Sequence, residues 1–153
     1  MSSTSHSTHS SDAEGASGLG LSGDLLACVS ALADGRVSSA QLVEQALARI
    51  DATQPTLNAF RIVRGESARA EATEADRRIA AGERLPLLGV PIAIKDDVDL
   101  AEHPTAFGCP GPFAVKREDC EMVRRLRVAG AVIVGKTNTP EIGLYPFTEG
   151  SAF

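Results

Sequence analysis

The chain contains no tryptophan, and aromatic residues make up only 4% of it. That scarcity leaves little from which to build a platform for stacking nucleic-acid bases. Positive charge is also in deficit. The formal net charge is −5, which argues against a partner held by phosphate contacts. Cysteine is scarce as well. Cys28, Cys109 and Cys120 are widely spaced and odd in number, with no CxxC or metal-ligand spacing. They read as reduced structural thiols of a cytoplasmic protein. No stretch approaches the ~20 apolar residues of a membrane span, and no basic segment followed by an apolar core opens the chain. Nucleic acid and membrane are therefore not expected as partners.

What is present suits a globular α/β protein. Residues 2–11 are only Ser, Thr and His, and residues 1–20 are expected to form a disordered tail that cannot bury enough apolar surface to order itself. His6 and His9 lie there, and a flexible His pair is a poor metal site. Beyond the tail, a helix is expected from Ser22, as cap, to about Ala33. A second runs from Ser38 to about Ala52, with Ser38 and Gln41 at capping-box spacing and Val37 placed to staple onto Leu42. Leu57 to Val63 fits a strand. Glu66 to Ala81 fits a helix with a Glu74–Arg78 pair on its surface, and Asp119 to Ala129 fits another. Ala131 to Gly135 reads as a buried strand, followed by Thr139 and Pro140 as cap and first residue of a further helix. Alternating strands and helices suggest a mainly parallel sheet in an α/β arrangement.

The richest segment is Gly89-Val90-Pro91-Ile92-Ala93-Ile94-Lys95-Asp96-Asp97. A short apolar run bounded by glycine and carboxylates reads as a strand buried on both faces. Open α/β sheets keep their chemistry at the carboxyl ends of such strands, and Lys95 stands there. It is either a solvated strand terminus paired with Asp96 or Asp97, or a desolvated base able to take a proton from a hydroxyl. Asp96, Asp97 and Asp99 read as turn and capping residues rather than metal ligands. No metal or cofactor is expected. Gly130 to Thr137 satisfies the phosphate-loop pattern GxxxxGK[ST]. That loop needs a strand before it and a helix starting at its lysine, whereas here a helix precedes and the intervening residues are strand formers. A nucleotide-binding domain is thus a minor alternative.

Several blocks together resemble the amidase signature hydrolases: Leu57-Asn58-Ala59-Phe60, then Leu87 to Asp96, Thr105-Ala106-Phe107-Gly108, and Gly130 to Glu141. The similarity covers roughly residues 22–153, and the segment from Gly89 to Asp96 is its most specific part. The resemblance implies a layered α/β/α fold with a large mixed sheet. It implies hydrolysis of a carbon–nitrogen amide bond by a Ser–cis-Ser–Lys triad, with Lys95 as the lysine. The substrate would be a small-molecule amide, with a homo-oligomer left open. Asp96 and Asn138 match recurrent family positions and are assigned structural support near the site. The family's triad serines and oxyanion donors belong to a glycine- and serine-rich signature downstream of the Gly135–Asn138 block. Residues 21–153 therefore read as the N-terminal part of such a domain, incomplete at its C-terminus and inactive by itself. The rival reading is a non-catalytic interaction module completed by a partner chain.

Overall fold

A computed structural model describes residues 24–149. The elements run α1 (Leu25–Ala33), α2 (Ser39–Leu57), β1 (Phe60–Val63), α3 (Gly65–Ala80), β2 (Pro91–Lys95), α4 (Glu121–Val128) and β3 (Val132–Thr137), then a 3-10 turn at Glu141–Gly143. The expected tail at residues 1–20, with His6 and His9, lies outside the described residues, as does Ser22. Asp24 caps α1 instead, accepting from the Leu26 N–H at 2.9 Å.

Among the described residues three strands form one sheet in the order β1-β3-β2. β2 is parallel to β3 and β1 is antiparallel to it, so the sheet is mixed. The alternation of strands and helices did not reveal the direction of β1. Val132 and Val134 of β3 pack with α2 and α3 through Val43, Leu47, Ala68 and Ala72. Ile133 packs with Ile94, Leu100 and Val123, the last from α4. Alternate residues of a strand face opposite sides, so helices cover both faces of β3 and the layering is α/β/α.

The helix starts follow their caps. Ser38 Oγ accepts from the Gln41 N–H at 3.0 Å, and Gln41 returns its side-chain oxygen to the Ser38 N–H at 2.9 Å. Val37 and Leu42 are buried in one cluster. Asp76 of α3 accepts from the Ser39 and Ala40 N–H groups at 2.6 and 3.0 Å. The orphan donors at the start of α2 thus lock it to α3.

Four expectations need correction. α2 does not end near Ala52; it continues through Pro55 to Leu57. Gln54 explains the extension, because its side chain bonds both the Phe60 carbonyl (2.6 Å) and the Phe60 N–H (3.0 Å) and so ties the last turn to β1. Glu74 pairs with Arg77 rather than Arg78, which reaches Glu83 instead. Thr139 caps no helix: its hydroxyl is buried without a hydrogen-bond partner among the described residues, and only a single 3-10 turn follows. Finally, β2 is not buried on both faces. Ala93 and Lys95 are exposed while Ile94 is buried, because β2 is an edge strand among the described residues. Ala93 looks onto an open groove of about 460 Å³ lined also by Cys28, Leu42, Ala46, Pro91 and Val134. Among the described residues, no helix is long and apolar enough to cross a membrane.

Candidate active site

Two lysines stand at the carboxyl ends of neighbouring parallel strands. In the register of β2 and β3, Ile94 lies beside Lys136 and Lys95 beside Thr137. Paired residues of neighbouring strands point to the same face, and the pairing slips by one residue of β3 between Ile92 and Ala93, so Lys136 lies on the face that holds Ile94 and Lys95 on the other. Their surroundings are opposite in kind.

Lys95 leaves the sheet with half of its side chain exposed, and its Nζ lies 2.9 Å from Asp97 Oδ2. Of the two environments open to it from sequence, the described residues supply the solvated, ion-paired one. Its backbone is nevertheless well fixed. The Lys95 carbonyl accepts from the Val98 N–H at 3.1 Å, closing a tight turn, and the Asp96 N–H donates to the Thr137 carbonyl at 3.0 Å.

Lys136 is fully buried. Its Nζ donates to Asp96 Oδ1 at 2.8 Å, the Pro104 carbonyl at 2.7 Å and Thr105 Oγ1 at 2.9 Å. A lysine ammonium carries three donors, and all three are used. A group tied in this way has no hydrogen-bonding capacity left for a phosphate, which removes the basis of the nucleotide-binding alternative. The strand formers of that pattern are indeed strand, and Gly130, at a φ of +92°, is the turn between α4 and β3.

Asp96 is the hub beneath this end of the sheet. It is completely buried. Besides Lys136 it accepts from Arg61 Nη1 at 3.2 Å and from the Ala106 N–H at 3.3 Å, and its carbonyl accepts from the Phe107 N–H at 3.1 Å. Arg61 reaches it from a bulge in β1, where the pairing with β3 slips between Phe60 and Ile62. A bulge re-aims a side chain at such a rim. Asn138 sits just past β3, on the β1 side. Its side-chain amide donates to the Asn58 carbonyl at 2.6 Å, and its N–H donates to the Ala59 carbonyl at 2.8 Å. Its Oδ1 is buried with no partner among the described residues. Asn138 and Thr139 help to line a cavity of about 220 Å³ with Asn58, Gly108 and Tyr145, and Lys95 is not part of that lining.

A second ionic network lies further back along β3. Arg64, just before α3, donates to Glu71 at 2.8 Å, to the Ile133 carbonyl at 2.6 Å and to His103 Nε2 at 3.1 Å. Glu71 accepts in turn from Arg127 at 3.1 Å and from the Ile133 N–H at 3.2 Å. The pairing of β1 with β3 runs to Val63, with one further bond from the Arg64 N–H to the Val134 carbonyl at 2.8 Å, and beyond it the Arg64–Glu71 pair takes up both backbone groups of Ile133. Burial pushes the Glu71 carboxyl up, but Arg64, Arg127 and the Ile133 N–H outweigh it and hold it below its ordinary value. His103 is pushed down, first by burial and then by the charges of Arg64 and Lys136.

Sequence reasoning named Lys95, Asp96 and Asn138, and the structure brings them to one end of the sheet. It missed Lys136, Arg61 and Thr105 as members of the same construction, and it missed the network of Arg64 behind them. One signal was available for Lys136: a lysine within an apolar strand requires an anion, since lysine is almost never fully buried unpaired.

A lysine turned outward at a strand's carboxyl end, braced from below by buried ion pairs, stands where open α/β sheets place their ligand sites. Comparison with known proteins makes the class specific. The family model described as Amidase matches residues 41–153, and the chain belongs to the amidase family. It is 61% identical over 122 residues to the protein named "Putative amidase AmiA2" in Mycobacterium tuberculosis, covering 80% of this chain and 25% of that one. It is 55% identical over 122 residues to "Putative amidase AmiB2" of the same organism, covering 80% of this chain and 26% of that one. Among solved structures it resembles the peptide amidase of Stenotrophomonas maltophilia with a TM-score of 0.72 and 34% identity, covering 79% of this chain and 26% of that one. The chain thus spans about a quarter of the length of the relatives it matches.

Proposed function

We propose that this chain is the lysine-bearing part of an enzyme that hydrolyses carbon–nitrogen amide bonds to carboxylate and ammonia. In this reading Lys95 is the base of a Ser–cis-Ser–Lys triad whose serines lie outside these 153 residues. As the neutral amine it takes a proton from the bridging serine, which in turn takes the proton of the nucleophilic serine as that oxygen bonds to the amide carbon. The proton passes back to the amide nitrogen as the carbon–nitrogen bond breaks and ammonia leaves, and water then hydrolyses the acyl ester to release the acid. The observation that carries the proposal is the contrast between the two strand-end lysines. Lys136 has every donor engaged, whereas Lys95 projects outward with one carboxylate partner. Only Lys95 is free to meet a hydroxyl brought against that face. The substrate is a small-molecule amide and the setting is cytoplasmic. Asp96 and Asn138 support the site without touching the reacting atoms.

The test uses the full-length enzyme carrying this segment. Lys95→Ala and Lys95→Arg should both lose most of kcat while melting normally, because a guanidinium is effectively always protonated and cannot act as a base. Ammonia release from simple amides at near-normal kcat in either variant would remove Lys95 from the reaction. The 153-residue chain by itself should release no ammonia.

A further inference from the structure

We propose that Lys136 is a positioning residue for Lys95, acting through Asp96 from the opposite face of the sheet. The inference rests on the reading of Lys95 as the base. Lys95 has little to hold it: its side chain is half exposed and has Asp97 as its partner. What fixes its direction is the turn that begins at its own carbonyl, and Asp96 is the second residue of that turn. The Asp96 carboxylate is therefore the handle by which the protein core grips the base.

Lys136 holds that handle at 2.8 Å, and with its two remaining donors it holds Pro104 and Thr105. The same loop closes back on Asp96 through the N–H groups of Ala106 and Phe107. Thr105 Oγ1 also approaches the Val98 carbonyl, on the far side of the Lys95 turn, at 3.4 Å. One ammonium thus links β3, the turn after β2 and the 104–107 loop. A buried charge is a poor way to gain stability, because its desolvation offsets most of its attraction. A methionine would fill the space at less cost. What the ammonium adds is a fixed geometry in three directions, and a displacement of about 1 Å at a reacting group can cost on the order of 100-fold in rate.

The experiment compares Lys136→Met, Asp96→Asn, the double variant and Thr105→Val in the full-length enzyme, with Lys95→Ala as control. Rates are taken per folded molecule, well below each melting midpoint. Lys136→Met and Asp96→Asn should each lower kcat on the order of 10- to 100-fold with KM nearly unchanged. The double variant should lose no more than the worse single variant, because both changes break one linkage. Thr105→Val leaves the Lys136–Asp96 pair in place and should show the same split more weakly. It decides the matter if Lys136→Met does not fold. Wild-type kcat per folded molecule in Lys136→Met, or in Thr105→Val where that variant decides, overturns the positioning role if Lys95→Ala is inactive. Losses that multiply in the double variant overturn it too. Full activity in Lys95→Ala overturns the base reading, and this inference with it.

Discussion

Replacing Arg64 by methionine tests whether the ion pair behind β3 works as a substitute strand. The Arg64 side chain is 6% exposed, and methionine keeps much of its apolar stem. Three bonds go at once: those to Glu71, to the Ile133 carbonyl and to His103. Leaving a buried carbonyl unsatisfied costs about 1–3 kcal/mol. Breaking a buried ion pair by removing one partner costs about 3–5 kcal/mol. Glu71 is a quarter exposed and keeps Arg127 and the Ile133 N–H, so its share falls well below that range. A loss of about 3 kcal/mol is expected in total, against a domain margin of only ~5–15 kcal/mol. The assay is a urea melt of the purified chain at pH 7.5, followed by circular dichroism, with Arg124→Met as control. Arg124 meets Glu121 on the exposed surface, and its removal should leave the midpoint where it was. A loss below about 1 kcal/mol for Arg64→Met would refute the reasoning, since it would mean that water satisfies Ile133 as well as the guanidinium does.

His103 makes stability depend on pH in a stated direction. Its folded value lies below the ordinary one, through burial and then through Arg64, Lys136 and Arg127, with Glu102 opposing. The folded state therefore binds the proton less readily than the unfolded state, whose value is about 6.5. Stability is full above that value and is lost as pH falls through the folded one. The melting temperature should decline between pH 7.5 and pH 5, and His103→Gln should flatten that slope; an unchanged slope in the variant would assign it elsewhere. The two strand-end lysines should also differ in chemical reactivity. Under native conditions acetic anhydride, read by peptide mass spectrometry, should modify Lys95 readily and leave Lys136 untouched until denaturant is added. Equal labelling of the two in the native chain would contradict their different burial.

The legible parts of the fold were those governed by local chemistry. Ser38 and Gln41 announced the start of α2 through a capping box whose two bonds both form. The short apolar run ending in Lys95 announced the strand β2. The illegible parts depended on groups distant in sequence. α2 outlasts its apolar stripe and passes Pro55 because Gln54 is bonded to Phe60. The exposure of Ala93 depends on what covers one face of an edge strand, which alternation within that strand cannot show. Lys136 was visible as a strand-end lysine, but its three acceptors come from Asp96, Pro104 and Thr105. No spacing rule joins those positions. Its near-identical local context to Lys95, an apolar strand followed by polar residues, made two very different lysines look alike.

The order of the strands has a consequence for how the chain comes into being. Among the described residues β1 and β2 are not paired with one another; each pairs with β3, the third of these strands in chain order. While the chain emerges, helices α1 to α3 can associate, but the first two strands must wait for a partner that inserts between them. Arg61 and Asp96 approach each other only after that insertion, and Lys136 arrives on the inserted strand itself. The pairing of these three strands and the burial of their charges are thus completed in one event, and a nascent chain ending before Val132 should carry the helices α1 to α3 without this pairing.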